Sequence, residues 1–222
     1  MNIDEIKGSG LTSKTSREIL ANRLKDLGIK NNDIINLIVN IPRHLFIETA
    51  LAGRAYENVS LPIGFKQTIS QPYMVAKMTE LLHESRSMEN VLEIGTGCGY
   101  QTSLLSMLFK KVTTIERIKS LHDQSKIRLT NMGFKNISYI LGDGYLGYKS
   151  NSPYDAIIVT AAADNIPEKL VEQLSPSGRI VLPLKVNENQ KLVKLKNTKN
   201  GLIKKVIEDV VFVPMLQGIE NI

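Results

Sequence analysis

The apolar run Val91-Leu92-Glu93-Ile94 leads without a break into Gly95-Thr96-Gly97-Cys98-Gly99, and an amphipathic segment follows. This order of strand, glycine turn and helix start constrains the chain more than any other stretch. Glycine tolerates the positive φ of a tight turn and lets bare backbone approach a ligand that a Cβ would obstruct. Open parallel sheets use this arrangement to hold a nucleoside-bearing cofactor. A second segment, Lys111–Ile115 (KVTTI), reads as a strand and ends in Glu116, 19 residues beyond Gly97. An acidic residue near that spacing accepts hydrogen bonds from ribose hydroxyls. Glu93, Gly95, Thr96, Gly97, Gly99 and Glu116 are therefore the first cofactor-contact candidates.

The chain of 222 residues fits one α/β domain with an extension better than two domains. No stretch approaches the roughly 18 unbroken apolar residues of a membrane span. The opening MNIDEIKGSG has no apolar signal segment, so the expected location is the cytoplasm. A single cysteine, Cys98, excludes an internal disulfide framework and a cysteine-built zinc site. The three histidines, His44, His83 and His122, have neither metal-ligand spacing nor a nucleophile partner, so no metal is expected. A net charge of +6 invites a nucleic-acid partner. The basic residues are mostly scattered lysines, and those alternating with apolar residues in KLVKLK read as the wet face of a strand. No nucleic-acid partner is expected.

The first 84 residues are helical in pattern. Thr15-x-x-Glu18 makes a capping box ahead of Ile19, Leu20, Leu24 and Leu27, and Gly28 stops that helix. Asn32 caps a second helix through Ile34, Ile35, Leu37 and Ile38. A loop rich in turn residues follows, and Pro72 then opens a third helix with Met74, Met78, Leu81 and Leu82 on one stripe. From residue 90, apolar strands (Val91–Ile94, Val112–Ile115, Ile137–Leu141, Ala156–Thr160, Arg179–Leu184) alternate with helical segments (Tyr100–Phe109, Ser120–Met132, Pro167–Leu174). Near-continuous apolar strands with helical crossovers predict a mostly parallel sheet with helices on both faces. The segments after Pro183, separated by a turn at Asn197–Gly201, predict two antiparallel hairpin strands at the C-terminal edge. Their order in the sheet is left open.

Ligands of such sheets sit beyond the carboxyl ends of the strands. Those ends carry Gly95–Gly99, Glu116, Gly142-Asp143-Gly144 and Thr160-Ala161-Ala162. Asp143, flanked by glycines that admit a ring, is placed to accept from an adenine amino group, with Gly144 beside it. Ala161-Ala162-Ala163 offers no carbonyl or carboxylate side chain to hold an exocyclic amine, which disfavours methylation of nucleic-acid bases.

A dinucleotide fingerprint would place its third glycine at position 100, where this chain has Tyr100. The G-x-G-x-G spacing resembles instead the first motif of the class I S-adenosylmethionine-dependent methyltransferases, which implies their Rossmann-like sheet and S-adenosyl-L-methionine as cofactor. A more specific likeness lies upstream. Pro62-Ile63-Gly64 and Gln67-Thr68-Ile69-Ser70-Gln71-Pro72 resemble the protein-L-isoaspartate O-methyltransferases, as do Ile41–Phe46, VLEIGTGCGYQT, YDAIIVTAA at 154–162, SGRIVLPL at 177–184 and the tail VFVPM. The likeness covers most of the chain beyond residue 11.

The resemblance implies transfer of a methyl group to the free carboxylate of isoaspartyl residues in damaged proteins, as the first step of repair. It gives Ser70 the active-site role and places Gln67, Thr68 and Ile69 on the cofactor side. From spacing alone Ser70 reads as a helix cap two residues before Pro72. Cys98 stands where the family has serine, and Leu216 where some members carry a hydroxyl. Lys66 lies in a loosely specified loop, where its role is either substrate attraction or plain solvation. The resulting expectation is one domain over residues 1–222, a helical extension with the substrate loop over 1–84 and a cofactor-binding core over 85–222. It acts as a monomer on isoaspartyl peptides and proteins, at no membrane. The rival readings are an RNA methyltransferase of the same fold and a non-catalytic module that kept the fold.

Overall fold

The computed structural model describes residues 8–83 and 88–222. The boundary drawn at 84/85 and the first seven residues lie outside the described residues. The elements in order are α1 (Lys14–Asp26), α2 (Asn32–Asn40), β1 (Leu61–Gly64), β2 (Gln67–Ile69), α3 (Pro72–Leu82), β3 (Asn90–Ile94), α4 (Tyr100–Leu108), β4 (Lys111–Glu116), α5 (Lys119–Asn131), β5 (Ile137–Leu141), β6 (Tyr154–Val159), α6 (Glu168–Val171), β7 (Leu174–Val186), β8 (Asn189–Thr198) and β9 (Gly201–Val210).

Seven strands form one sheet in the order β5-β4-β3-β6-β7-β8-β9. β3 to β7 run parallel; β8 and β9 are antiparallel and form the edge. The chain leaves β3 toward β4 and β5, then returns to build β6 and β7 on the other side. This reversal opens a crevice beside the carboxyl end of β3.

The central strands are buried along almost their whole length, and their side chains alternate between two covered faces. Val91, Val112, Ala156, Ile158 and Val181 pack with Met74, Met78 and Leu82 of α3 and with Leu105 of α4. Leu92, Ile115, Ile157, Ile180 and Leu182 pack on the opposite face with Tyr154, Leu170 and Met215. The cover is unequal. The expected helix over Pro167–Leu174 shrinks to the four residues of α6, because Leu174 already belongs to the long strand β7, paired with Tyr154.

Two caps sit one or two residues from their expected places. Ser13, not Thr15, caps α1, accepting the amide of Ser16. Asn31, not Asn32, caps α2, accepting the amides of Asp33 and Ile34. Of the predicted α1 stripe, Leu20 and Leu24 are buried while Ile19 and Leu27 are exposed. A larger departure lies in the expected loop before α3. It contains the hairpin β1–β2, closed by Phe65 and Lys66 at φ 51° and 57°. Positive φ at both tip residues is the geometry that matches strand twist in a two-residue turn. Here an aromatic and a lysine adopt it in place of the usual Asn-Gly.

Candidate active site

The glycine turn is fixed from several directions. Glu116 Oε2 accepts the Gly97 amide at 2.8 Å, and Oε1 accepts the amides of Arg117 and Ile118. The Thr160 hydroxyl donates to the carbonyl oxygens of Ile94 and Gly95 at 3.0 and 2.8 Å. Arg128 donates from α5 to the Cys98 carbonyl at 2.8 Å. Gly95 has φ +92°, and a Cβ there would stand 2.3 Å from Thr160 Oγ1, so the turn admits no side chain at that position.

Tyr100 explains why the third glycine of a dinucleotide site is absent. It opens α4 with 1% exposure, its ring edge-on to Phe46 at 5.2 Å and under the Arg43 guanidinium at the same separation. The residue after the turn thus docks the N-terminal extension, where the third glycine of a dinucleotide site would serve close packing of helix on strand. Burial pulls the Arg43 guanidinium below its ordinary value and pushes the Tyr100 phenol up.

Gly95, Thr96, Gly97 and Glu116 line one cleft with Gln67, Thr68, Ile69, Ser70 and Gly144. The hairpin β1–β2 forms the opposing wall, and Ile63 is the nearest atom group to the place a Gly97 Cβ would occupy, at 3.4 Å. Ser70 is not a helix cap. Gln71 occupies the N-cap without a side-chain bond, and the amide of Tyr73 is instead accepted by Asn58 Oδ1 at 2.8 Å.

Three predicted cofactor residues do not line the cleft. Glu93 is wholly buried behind the turn; its Oε2 accepts the hydroxyls of Thr102 and Thr114, and burial pushes its carboxyl up to about 8. Gly99 caps α4 at φ +90°, where a Cβ would meet Leu129 at 2.9 Å. Asp143 turns its carboxylate onto the amides of Tyr145 and Gly218. All three shape the walls: Glu93 bonds Thr114, whose hydroxyl also pairs with cleft-lining Thr96 at 2.6 Å. The histidines all face elsewhere, onto Tyr56, Asn31 and Asp123.

Sequence reading missed the rim of the cleft. Val213, Pro214, Met215 and Leu216 line it, in a tail that crosses the strand ends. Val213 and Met215 exchange backbone bonds with Ala162, Gly218 donates to Asp143, and Glu220 donates to the Arg117 carbonyl. The tail motif VFVPM was visible as a resemblance, but its position was not.

The polar atoms fit a methyl donor built from a nucleoside and an amino-acid tail. An acidic side chain and open glycine backbone face one space, with a serine hydroxyl across it. Fold and cleft together define a Rossmann-like methyltransferase of the S-adenosylmethionine-dependent class. The model of the protein-L-isoaspartate(D-aspartate) O-methyltransferase family matches residues 15–220, and the chain belongs to that family. The protein-L-isoaspartate O-methyltransferase of Pseudomonas fluorescens is 48% identical over 208 residues, 94% of this chain and 99% of that protein. A solved protein-L-isoaspartate O-methyltransferase superposes with a TM-score of 0.81 at 28% identity, covering 89% of this chain and 65% of that one. A Plasmodium falciparum protein assigned to the same activity, solved with S-adenosyl-L-homocysteine, gives 0.79 at 26% identity, covering 90% and 98%. Among the described residues no helix is long and apolar enough to cross a membrane.

Proposed function

We propose that the chain methylates the free α-carboxylate of isoaspartyl residues in peptides and proteins, using S-adenosyl-L-methionine. The observation that carries this is the cleft itself: Ser70 and the segment 67–69 line the same space as Gly95–Gly97 and Glu116. Bound S-adenosyl-L-methionine supplies an electrophilic methyl group on a sulfonium.

The protein's own part is binding and alignment. Glu116 would take the ribose hydroxyls, and the bare backbone of Gly95 and Gly97 would receive the amino-acid tail. Gly144, without a side chain, would leave room for the base, and Asp143 holds the C-terminal tail of the chain through the Gly218 amide. The Ser70 hydroxyl donates to one oxygen of the acceptor carboxylate and aims the other at the methyl carbon. An α-carboxyl with a pKa of about 3.5 is already ionised at neutral pH, so no general base is needed. Charge is neutralised as the new bond forms, and a site that aligns the partners and excludes water favours that step.

The reading extends to a single domain over residues 1–222, acting as a monomer in the cytoplasm with no nucleic-acid partner. Packing of Leu20, Leu24 and Ile34 in one cluster with Tyr100 and Leu104 supports the single domain. Two peptides differing only in aspartyl or isoaspartyl linkage, incubated with methyl-labelled cofactor, test the activity. Base-labile label in the isoaspartyl peptide alone is expected; equal or absent label refutes it.

A further inference from the structure

One Asn-Gly pair occurs in the sequence, Asn200-Gly201. It sits at the turn between β8 and β9, with both residues exposed. An asparagine followed by glycine is the pair most prone to ring closure, because no side chain hinders attack by the following amide nitrogen. At Gly201, φ is +103° and a Cβ would meet no atom within 4 Å. The side-chain bonds at the tip are local: the main-chain amide of Asn200 donates to Thr198 Oγ1 at 3.2 Å, and that hydroxyl donates to the Gly201 carbonyl at 2.7 Å. Opening the tip therefore disturbs no core contact.

The one Asp-Gly pair, Asp143-Gly144, is held differently. Its carboxylate accepts two amides, and Gly144 is buried so closely that a Cβ would stand 2.2 Å from Ile94 Cγ2.

We propose that Asn200 is where this chain itself ages to an isoaspartyl link, and that a second copy of the enzyme methylates that link. The Gly201 nitrogen attacks Asn200 Cγ; the new C–N bond forms as the side-chain amide leaves as ammonia, carrying the displaced proton. Water then opens the succinimide at its α-carbonyl, leaving the main chain routed through the side-chain carbonyl and the α-carboxylate free. An oxygen of that carboxylate takes the methyl group from the sulfonium of S-adenosyl-L-methionine, which departs as the neutral thioether.

The reaction must be intermolecular. β8 runs antiparallel to β7, with Lys196 beside Arg179 and Arg179 beside Ala156. The tip that follows Thr198 thus lies at the amino ends of the parallel strands, while the cleft lies at their carboxyl ends. The rise of about 3.3 Å per residue along β6 separates the two.

The proposal rests on the isoaspartyl activity above, so its test includes an isoaspartyl peptide as control. Enzyme aged at neutral pH and fresh enzyme are incubated with methyl-labelled cofactor, then digested after glutamate to release residues 189–208. Aged enzyme is expected to show in that fragment the mass gain of an amide replaced by an acid, with base-labile label there. The initial rate should rise with the square of enzyme concentration. Asn200→Gln, with full activity on the control peptide, should lose this label. A labelled control peptide with an unlabelled 189–208 fragment overturns this proposal alone, as does a rate per molecule independent of concentration. An unlabelled control peptide overturns the activity and the proposal together.

Discussion

Asn58 Oδ1 accepts the amide of Tyr73 at 2.8 Å, so the first turn of α3 is capped from fifteen residues upstream. The consequence falls on Ser70, which shares the cleft wall without serving the helix. A side chain released from structural duty is available for a ligand.

Ser70→Ala should therefore lower kcat/KM for an isoaspartyl peptide while leaving the melting temperature and donor affinity in place. A hydrogen bond to a charged acceptor contributes about 1.5–3 kcal/mol, or about 10- to 150-fold in rate. Steady-state kinetics beside a thermal melt and a calorimetric titration of the cofactor separate these effects. Unchanged turnover would remove the hydroxyl from the site.

Asn58→Ala should do the reverse. Loss of a cap costs about 1 kcal/mol, and each kcal/mol lowers the melting temperature of a chain this size by about 2–4 °C. A melt no different from the parent would mean that the capping bond contributes nothing.

Glu116→Gln should weaken cofactor binding by about tenfold or more, since charge-assisted hydrogen bonds contribute about 1.5–3 kcal/mol. Isothermal titration with S-adenosyl-L-homocysteine measures it. The change should appear in the dissociation constant rather than in recognition of the peptide, because Glu116 faces the glycine turn.

Glu93 sets a pH dependence of stability. Its carboxyl titrates at 4.5 as an ordinary glutamate and at about 8 when buried in the fold. Between those values the folded state holds a proton that the unfolded chain has released, so stability falls as pH rises through the window. Glu93→Gln should flatten this slope, with a melting-temperature advantage over the parent that grows from pH 5 to pH 8. Melts in a pH series decide the matter; parallel curves would place the charge elsewhere.

Gly144→Ala should cost stability by overpacking, about 1–3 kcal/mol, because the added methyl meets Ile94 at 2.2 Å. Melts with and without S-adenosyl-L-homocysteine should show lower stability and a smaller shift on ligand addition.

The sheet was legible because its signals are local. Near-continuous apolar strands, glycines at a turn and an acid at the next strand end are each written within a few residues. Ser70 was legible only through resemblance, since spacing alone assigned it to a cap that Asn58 supplies. What stayed hidden depends on distant partners. The hairpin β1–β2 places Phe65 and Lys66 in a backbone region that neither residue type announces. Glu93 looks like Glu116 in sequence, yet one hydroxyl pair behind the turn receives it and the cleft receives the other. The tail over 213–220 shows no periodicity, because its place is fixed by main-chain bonds to Ala162 and Arg117 and by the Gly218 amide on the Asp143 carboxylate.

That tail closes one side of the ligand space with a seam rather than a wall. Its amides at Met215, Gly218 and Glu220 find acceptors on three separate strand ends, and Ser120 donates to the Ile222 carbonyl beyond them. Bonds anchored on separate strand ends can open locally without unfolding the sheet. Exchange of those three amides with deuterated solvent would thus read out how far the rim has come undone before the pocket beneath it is exposed.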